Sequence, residues 1–163
     1  MNLGKKIFGI AALIACSFGS QAFAQQKDCI ELTSKAEIEQ EVVDATGKTS
    51  KQLVPVAKVV PGVEVLWTVT AKNVCQKASD AVTISNAVPQ HMTYVANSAT
   101  GHGAEVAVSA DGKTFAKAGE LTTTDATGIR RVRADEYKHL RWTFKDALQP
   151  GATTVAQFRA VLN

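Results

Sequence analysis

Histidine, methionine and cysteine are all scarce in this chain, and each scarcity argues against a class of chemistry. There are three histidines, His91, His102 and His139, and they fall on predicted loops or exposed strand faces. With no GxSxG elbow in reach of one, nothing reads as a nucleophile–base–acid triad. No Gly-rich loop opens a helix, so the phosphate-cradling motifs are missing. The three cysteines, Cys16, Cys29 and Cys75, form no CxxC pair and have no His at ligand spacing, which argues against zinc. His91-Met92 with His102 are ligand types suited to copper(I). Met92 is the only thioether besides Met1, however, and Met92-Thr93-Tyr94 reads better as the start of a buried strand. The expectation is therefore a protein that is not an enzyme, with no metal and no cofactor. Charge of one sign is lacking too: 18 basic residues face 15 acidic ones, and setting aside Lys5 and Lys6 leaves 16 against 15. Such a balance exerts no general pull on nucleic acid.

Long apolar runs are also missing, and the one that exists is an address. Lys5 and Lys6 precede an apolar run from Ile7 to Phe18, followed by Ala22-Phe23-Ala24. This is the three-part pattern of a secretory signal peptide over residues 1–24, cut before Gln25. The run is too short to span a bilayer, and no later segment approaches that length. A second reading of the same stretch is a lipobox, Leu13-Ile14-Ala15-Cys16, which would lipidate Cys16 and make an envelope lipoprotein. The first reading is preferred because the apolar run continues past Cys16 and a good cleavage site lies downstream. Export places Cys29 and Cys75 in an oxidising compartment, where two cysteines most simply form a disulfide.

What remains is a succession of short strands. Residues 61–89 carry the clearest pattern. Val63, Val65, Trp67, Val69 and Ala71 alternate with Glu64, Thr68, Thr70 and Lys72, the period of a half-buried strand. A polar turn follows, then a second strand in which Val82, Ile84 and Val88 alternate with polar or small residues. Before this pair, residues 28–44 read either as a strand or as a short amphipathic helix capped at Ser34 with Glu37 three residues on; the strand reading is favoured by everything downstream. Residues 44–50 read as a turn and 53–60 as a strand that Pro55 marks as an edge or a bulge. Strands are expected at 92–95 and 104–109. An Asp111-Gly112 hairpin signal should return the chain through 114–116, and the Thr-rich stretch 117–128 reads as a loop. A second hairpin is expected from 129–133 and 137–144, turning at 134–136 and burying Leu140, Trp142 and Phe144. After a turn at Gln149-Pro150-Gly151 comes a last strand, 153–162, with Ala156, Phe158, Ala160 and Leu162 on one face. Trp67 and Trp142 read as core residues packed across two layers. Strands at this spacing, with no helix of ten residues, predict an all-β antiparallel sandwich in a single copy.

The order of pieces resembles the bacterial "conserved repeat domain" family of envelope proteins, known as domain of unknown function eleven. The resemblance rests on Pro61-Gly62, the strand 63–70, Asn73, the strand 81–86, Pro89, Thr93-Tyr94-Val95, Asn97-Ser98, Leu148-Gln149-Pro150-Gly151 and the closing strand 153–162. It covers roughly residues 55–162 and implies an Ig-like sandwich with no catalytic residues to transfer. The chain departs from the pattern in being one copy, in Asn86-Ala87 where an acidic residue is usual, in a leading segment and in a basic stretch at 129–141. The domain organisation that follows is a signal peptide over 1–24, an N-terminal extension with extra strands over 25–53 and an Ig-like domain over 54–163.

Two features compete for function. Arg130, Arg131, Arg133, Lys138, His139 and Arg141 crowd one stretch and, on one face of a hairpin, could hold an anionic glycan or lipid headgroup through Arg forks. The plainer account is a solvated strand face whose cations discourage edge pairing. The extension 25–53 could instead be passed to another molecule as an added strand, though a Cys29–Cys75 bridge would restrain it. The expectation is a structural, adhesive or assembly module of the periplasm or cell surface, partnered by itself or other envelope proteins. The alternative is a monomeric periplasmic protein that binds an anionic ligand through the basic stretch.

Overall fold

The computed structural model describes residues 29–163. The signal peptide, its cleavage site before Gln25 and the Cys16 lipobox lie outside the described residues. Ten strands make up the fold: β1 (Ile30–Val43), β2 (Thr49–Pro55), β3 (Glu64–Asn73), β4 (Thr83–Ala87), β5 (Met92–Tyr94), β6 (Ala104–Ser109), β7 (Thr122–Asp125), β8 (Gly128–Arg131), β9 (His139–Phe144) and β10 (Thr153–Leu162). A single 3-10 turn, Ala134–Glu136, precedes β9. No helix among the described residues is long and apolar enough to cross a membrane.

The strands form an antiparallel five-stranded sheet in the order β2-β1-β3-β10-β5, a three-stranded sheet β4-β9-β6 and a separate two-stranded ribbon β7-β8. The two larger sheets share one core, in a sandwich-like arrangement. Trp142 on β9 meets Phe158 on β10 with ring centroids 6.1 Å apart. Trp67, opposite Phe158 in the β3–β10 register, stacks on the same ring at 6.4 Å. Trp142, Phe158, Leu140 and Ile84 are fully buried, as are the small Ala71, Ala156 and Ala160 that let the layers approach. Gly101 is part of the same close fit, because a Cβ there would come within 2.9 Å of Trp142 Cδ1. At one end of the core Tyr94 packs on Tyr137 at 5.9 Å. Their hydroxyls accept the backbone N–H groups of Ala99 and Gly119, which pins two loops.

Several strands fall where the alternation predicts them. Within the segment read as 28–44, Ile30–Val43 is a strand rather than a helix. β6 and β10 have the expected bounds, and Leu140, Trp142 and Phe144 are buried while their odd-numbered neighbours face out. Trp67 and Trp142 pack in the core, and Met92 is buried.

Other expectations are corrected. The strands on either side of the 74–82 segment are not a paired hairpin: β3 belongs to the five-stranded sheet and β4 to the three-stranded one. The connection is too long for a tight turn and is tied sideways. Cys75 is bonded to Cys29, and Ser79 bridges to Leu148. The strand expected at 53–60 lies instead at Thr49–Pro55, and beyond it Val56 still donates its N–H to the Ala36 carbonyl on β1. The return through 114–116 is a single bridge, Val108 to Ala116. The stretch 117–128, read as a loop, contains β7. The hairpin expected across 129–144 does not form. Both edges of β9 are occupied, by β4 and β6, so β8 pairs back with β7 across a turn at Asp125–Gly128.

The segment 25–53 is integral where it is described. β1 lies beside β3 along Ile30–Glu37 and beside β2 along Glu37–Val43. Its far half, with β2, forms a hairpin arm that reaches past the end of β3.

Two measurements test this account. Phe158→Ala removes the ring on which both tryptophans pack, and a loss of about 3–5 kcal/mol in urea unfolding is expected. Cys75→Ser opens the covalent loop and should cost about 2–5 kcal/mol, matched by adding reductant to the unaltered chain.

Candidate functional site

The basic residues do not share one face. Arg130 sits on β8 and is already neutralised: its Nε donates to Asp125 Oδ2 at 2.8 Å, and its two terminal nitrogens donate to Glu136 at 2.8 and 2.7 Å. The Glu136 carboxylate also accepts the Arg133 backbone N–H at 2.9 Å, which closes the 3-10 turn. Arg133 pairs with Asp135. Arg131 lies beside Arg130 on β8. Lys138 uses its backbone, donating to Ser109 and accepting from Val88. His139 starts β9 with its ring against Gly112. Arg141 lies on the outer face of the three-stranded sheet, its guanidinium 3.6 Å from the centre of the Phe115 ring, with Nε donating to Ser85 Oγ at 3.3 Å. Among the described residues no carboxylate pairs with Arg131, Lys138 or Arg141.

The two acids that answer Arg130, and one further turn carboxylate, are held below their usual range. Glu136 falls to about 2, chiefly through the Arg130 guanidinium and then the Arg133 N–H. Asp125 falls to about 2, first through the Thr127 hydroxyl and backbone N–H, then through Arg130. Asp111, at the turn after β6, falls to about 2 because it accepts the N–H groups of Lys113 and Thr114 and the Ser109 hydroxyl. Their role is local: each carboxylate organises a turn.

The second candidate is the leading segment. The arm is anchored to the sheet by Arg159, which the sequence pattern leaves as one more polar position on β10. Its terminal nitrogens donate to Glu64 at 2.8 Å and Glu39 at 2.9 Å, joining three strands. The Glu39 carboxyl is lowered, first by its hydrogen bond to Arg159. At the other end of β1, the Cys29–Cys75 disulfide is supported by Asn73, which is fully buried. Asn73 Nδ2 donates to the carbonyls of Lys77 and Leu148, and Oδ1 accepts the Cys75 N–H. In sequence Asn73 only ends a strand; a buried side-chain amide with three backbone partners carries no signal until the 148 loop is in place.

Beside the disulfide, β1 and the start of β4 border a groove of about 360 Å³ lined by Ile30, Leu32, Ser79, Asp80 and Val82, among others. Leu32 is 54% exposed although it sits on the core side of β1, opposite the fully buried Ala71. A smaller cavity of about 180 Å³, between His102, Asp146 and Thr153, lies below the size of common ligand sites. Among the described residues no three His, Cys, Asp or Glu side chains group as metal ligands. Trp67 Nε1 and Trp142 Nε1 are buried without a partner.

No family model matches the chain, and no curated protein or solved structure matches it significantly.

The lowered carboxyls fix the acid response. Their folded pKa values lie below the ordinary 3.8 and 4.5, so their stabilisation is complete above about pH 5 and is lost as pH falls toward 2. The urea midpoint should be flat from pH 7 to 5 and decline below about pH 4.5. Glu136→Gln should make that decline shallower, and an unchanged acid profile would remove the role given to the Arg130–Glu136 pair.

Proposed function

We propose that this is an exported, Ig-like, non-enzymatic assembly module of the bacterial envelope, joined to itself or to neighbouring envelope proteins by strand addition. One observation carries the reading: β1 is a 14-residue strand whose two halves pair on opposite sides, one with β3 and one with β2. The near half therefore keeps an unpaired outer edge, and the far half projects as an arm. Unpaired edges are templates for another strand. Export is supported by the signal-peptide pattern and by a disulfide of the kind that persists in oxidising compartments. The Ig-like assignment and the resemblance to the conserved repeat domain rest on the order of motifs, and the two-sheet core accords with them.

A second reading, a monomer that binds an anionic glycan or lipid headgroup, is favoured by Arg141. Stacking on Phe115 and the bond to Ser85 hold its guanidinium flat while its terminal nitrogens meet no carboxylate. Arg131 and Lys138 are the other uncommitted cations, whereas Arg130 and Arg133 are engaged with acids.

Light scattering of the protein purified from its native envelope separates the two. Assembly by backbone pairing and apolar burial predicts species larger than a monomer that persist in about 1 M salt, where the screening length is about 3 Å. A monomer whose capture on heparin or anionic vesicles vanishes in that salt, and in Arg141→Ser, would support the second reading instead.

A further inference from the structure

The outer edges of the larger sheets are not equally open. β2 carries Lys51 and ends at Pro55; β5 is three residues long; β6 is occupied at Val108, which both donates to and accepts from Ala116. These are the usual ways of blunting an edge. The near half of β1 carries Lys35 but no proline, and along Ile30–Ser34 no strand or bridge occupies its outer side. The direction of its backbone groups follows from two bonds. The Cys29 carbonyl accepts from Val74 on the β3 side, and the Ala36 carbonyl accepts from Val56 on the β2 side. Backbone groups alternate sides along a strand, so Ile30, Leu32 and Ser34 turn their N–H and C=O outward. Among the described residues nothing bonds to them there. Val56 closes this edge at Ala36, so the open stretch is short and bounded.

We infer that a second copy of this chain pairs with this edge, β1 antiparallel to β1 about a two-fold axis at Leu32, and this rests on the assembly reading above. The register is set by the geometry. Outward-facing residues must meet outward-facing residues, and Val56 bars Ala36. Centring on Leu32 satisfies both and pairs Ile30 with the partner's Ser34, Leu32 with the partner's Leu32 and Ser34 with the partner's Ile30, giving about six backbone hydrogen bonds. Moving the centre to Thr33 would bring the partner's Ala36, already taken, onto Ile30. On the core side the two half-exposed Leu32 side chains meet and shield each other beside the groove. On the other side Glu31 lies diagonal to the partner's Lys35, within reach of long side chains. The two glutamates adjoin across the axis, each flanked by a lysine, and Lys35 is 62% exposed and so can swing from its contact with Glu37. The product is one continuous sheet through both molecules.

The test uses the full purified chain. Ser34→Pro removes an outward N–H that bonds nothing within the molecule, a position where an edge strand tolerates proline; it should convert dimer to monomer in light scattering with the far-UV spectrum unchanged. Leu32→Cys brings two sulfurs together at a Cα separation of about 5.5 Å, so mild oxidation should give a covalent dimer, with peptide mass spectrometry placing the bridge between the two copies of position 32. Thr33→Cys, on the other face and diagonal to its mate at about 7–8 Å, should not cross-link. Larger species with no bridge at position 32 overturn this interface while leaving the assembly reading standing. A monomer at every concentration with no bridge overturns both.

Discussion

Phe158 is the contact on which the rest of the structure depends. It receives Trp142 from the three-stranded sheet and Trp67 from its own. One buried ring thus couples the layers, while alanines at 71, 156 and 160 keep the surrounding space narrow enough for contact. The aromatic content is low, so these few large side chains carry a disproportionate share of apolar burial. β3, which carries Trp67, is paired on both edges, by β1 and β10. β1 and β10 are registered against it, and β2 and β5 against those two in turn.

The unequal size of the two sheets has consequences at the periphery. The three-stranded sheet ends at β4 and does not reach over β1, so Leu32 faces the core side and is still half exposed, one strand away from the fully buried Ala71. The Cys29–Cys75 bond and the Asn73 amide hold one end of β1, and Arg159 with Glu39 and Glu64 holds its middle. Ordered at both places yet unpaired along its outer edge between them, β1 offers a rigid template. Rigidity matters here because a strand already fixed in extended form loses little further entropy on pairing.

The cations have a different role from the one their crowding in sequence suggests. Arg130 and Arg133 spend their charge on Asp125, Glu136 and Asp135, and those pairs shape the β7–β8 ribbon and the 3-10 turn. Arg141, on a sheet face against the Phe115 ring, and Arg131, on the ribbon, meet no carboxylate among the described residues. Proximity along the chain gave a cluster; pairing divided it between a ribbon, a turn and a sheet.

Strand periodicity by itself determined part of the elements: β6 and β10 to the residue, β9 with its inward Leu140, Trp142 and Phe144, and the buried Val65, Val69 and Ala71 of β3 and Ile84 of β4. Counting the cysteines that follow the signal-peptide pattern pointed to the Cys29–Cys75 disulfide. These features are local, since side chains alternate within a strand whatever the strand pairs with. Tertiary structure alone decided which strands are neighbours. It sent β3 and β4 to different sheets and gave β8 to β7 because β9 had no free edge. It also turned Asn73 and Arg159 from ordinary polar positions into fastenings between distant segments. Pairing depends on edges contributed by residues far apart in the chain, and an alternating pattern records which face of a strand is buried without recording which strand lies beside it.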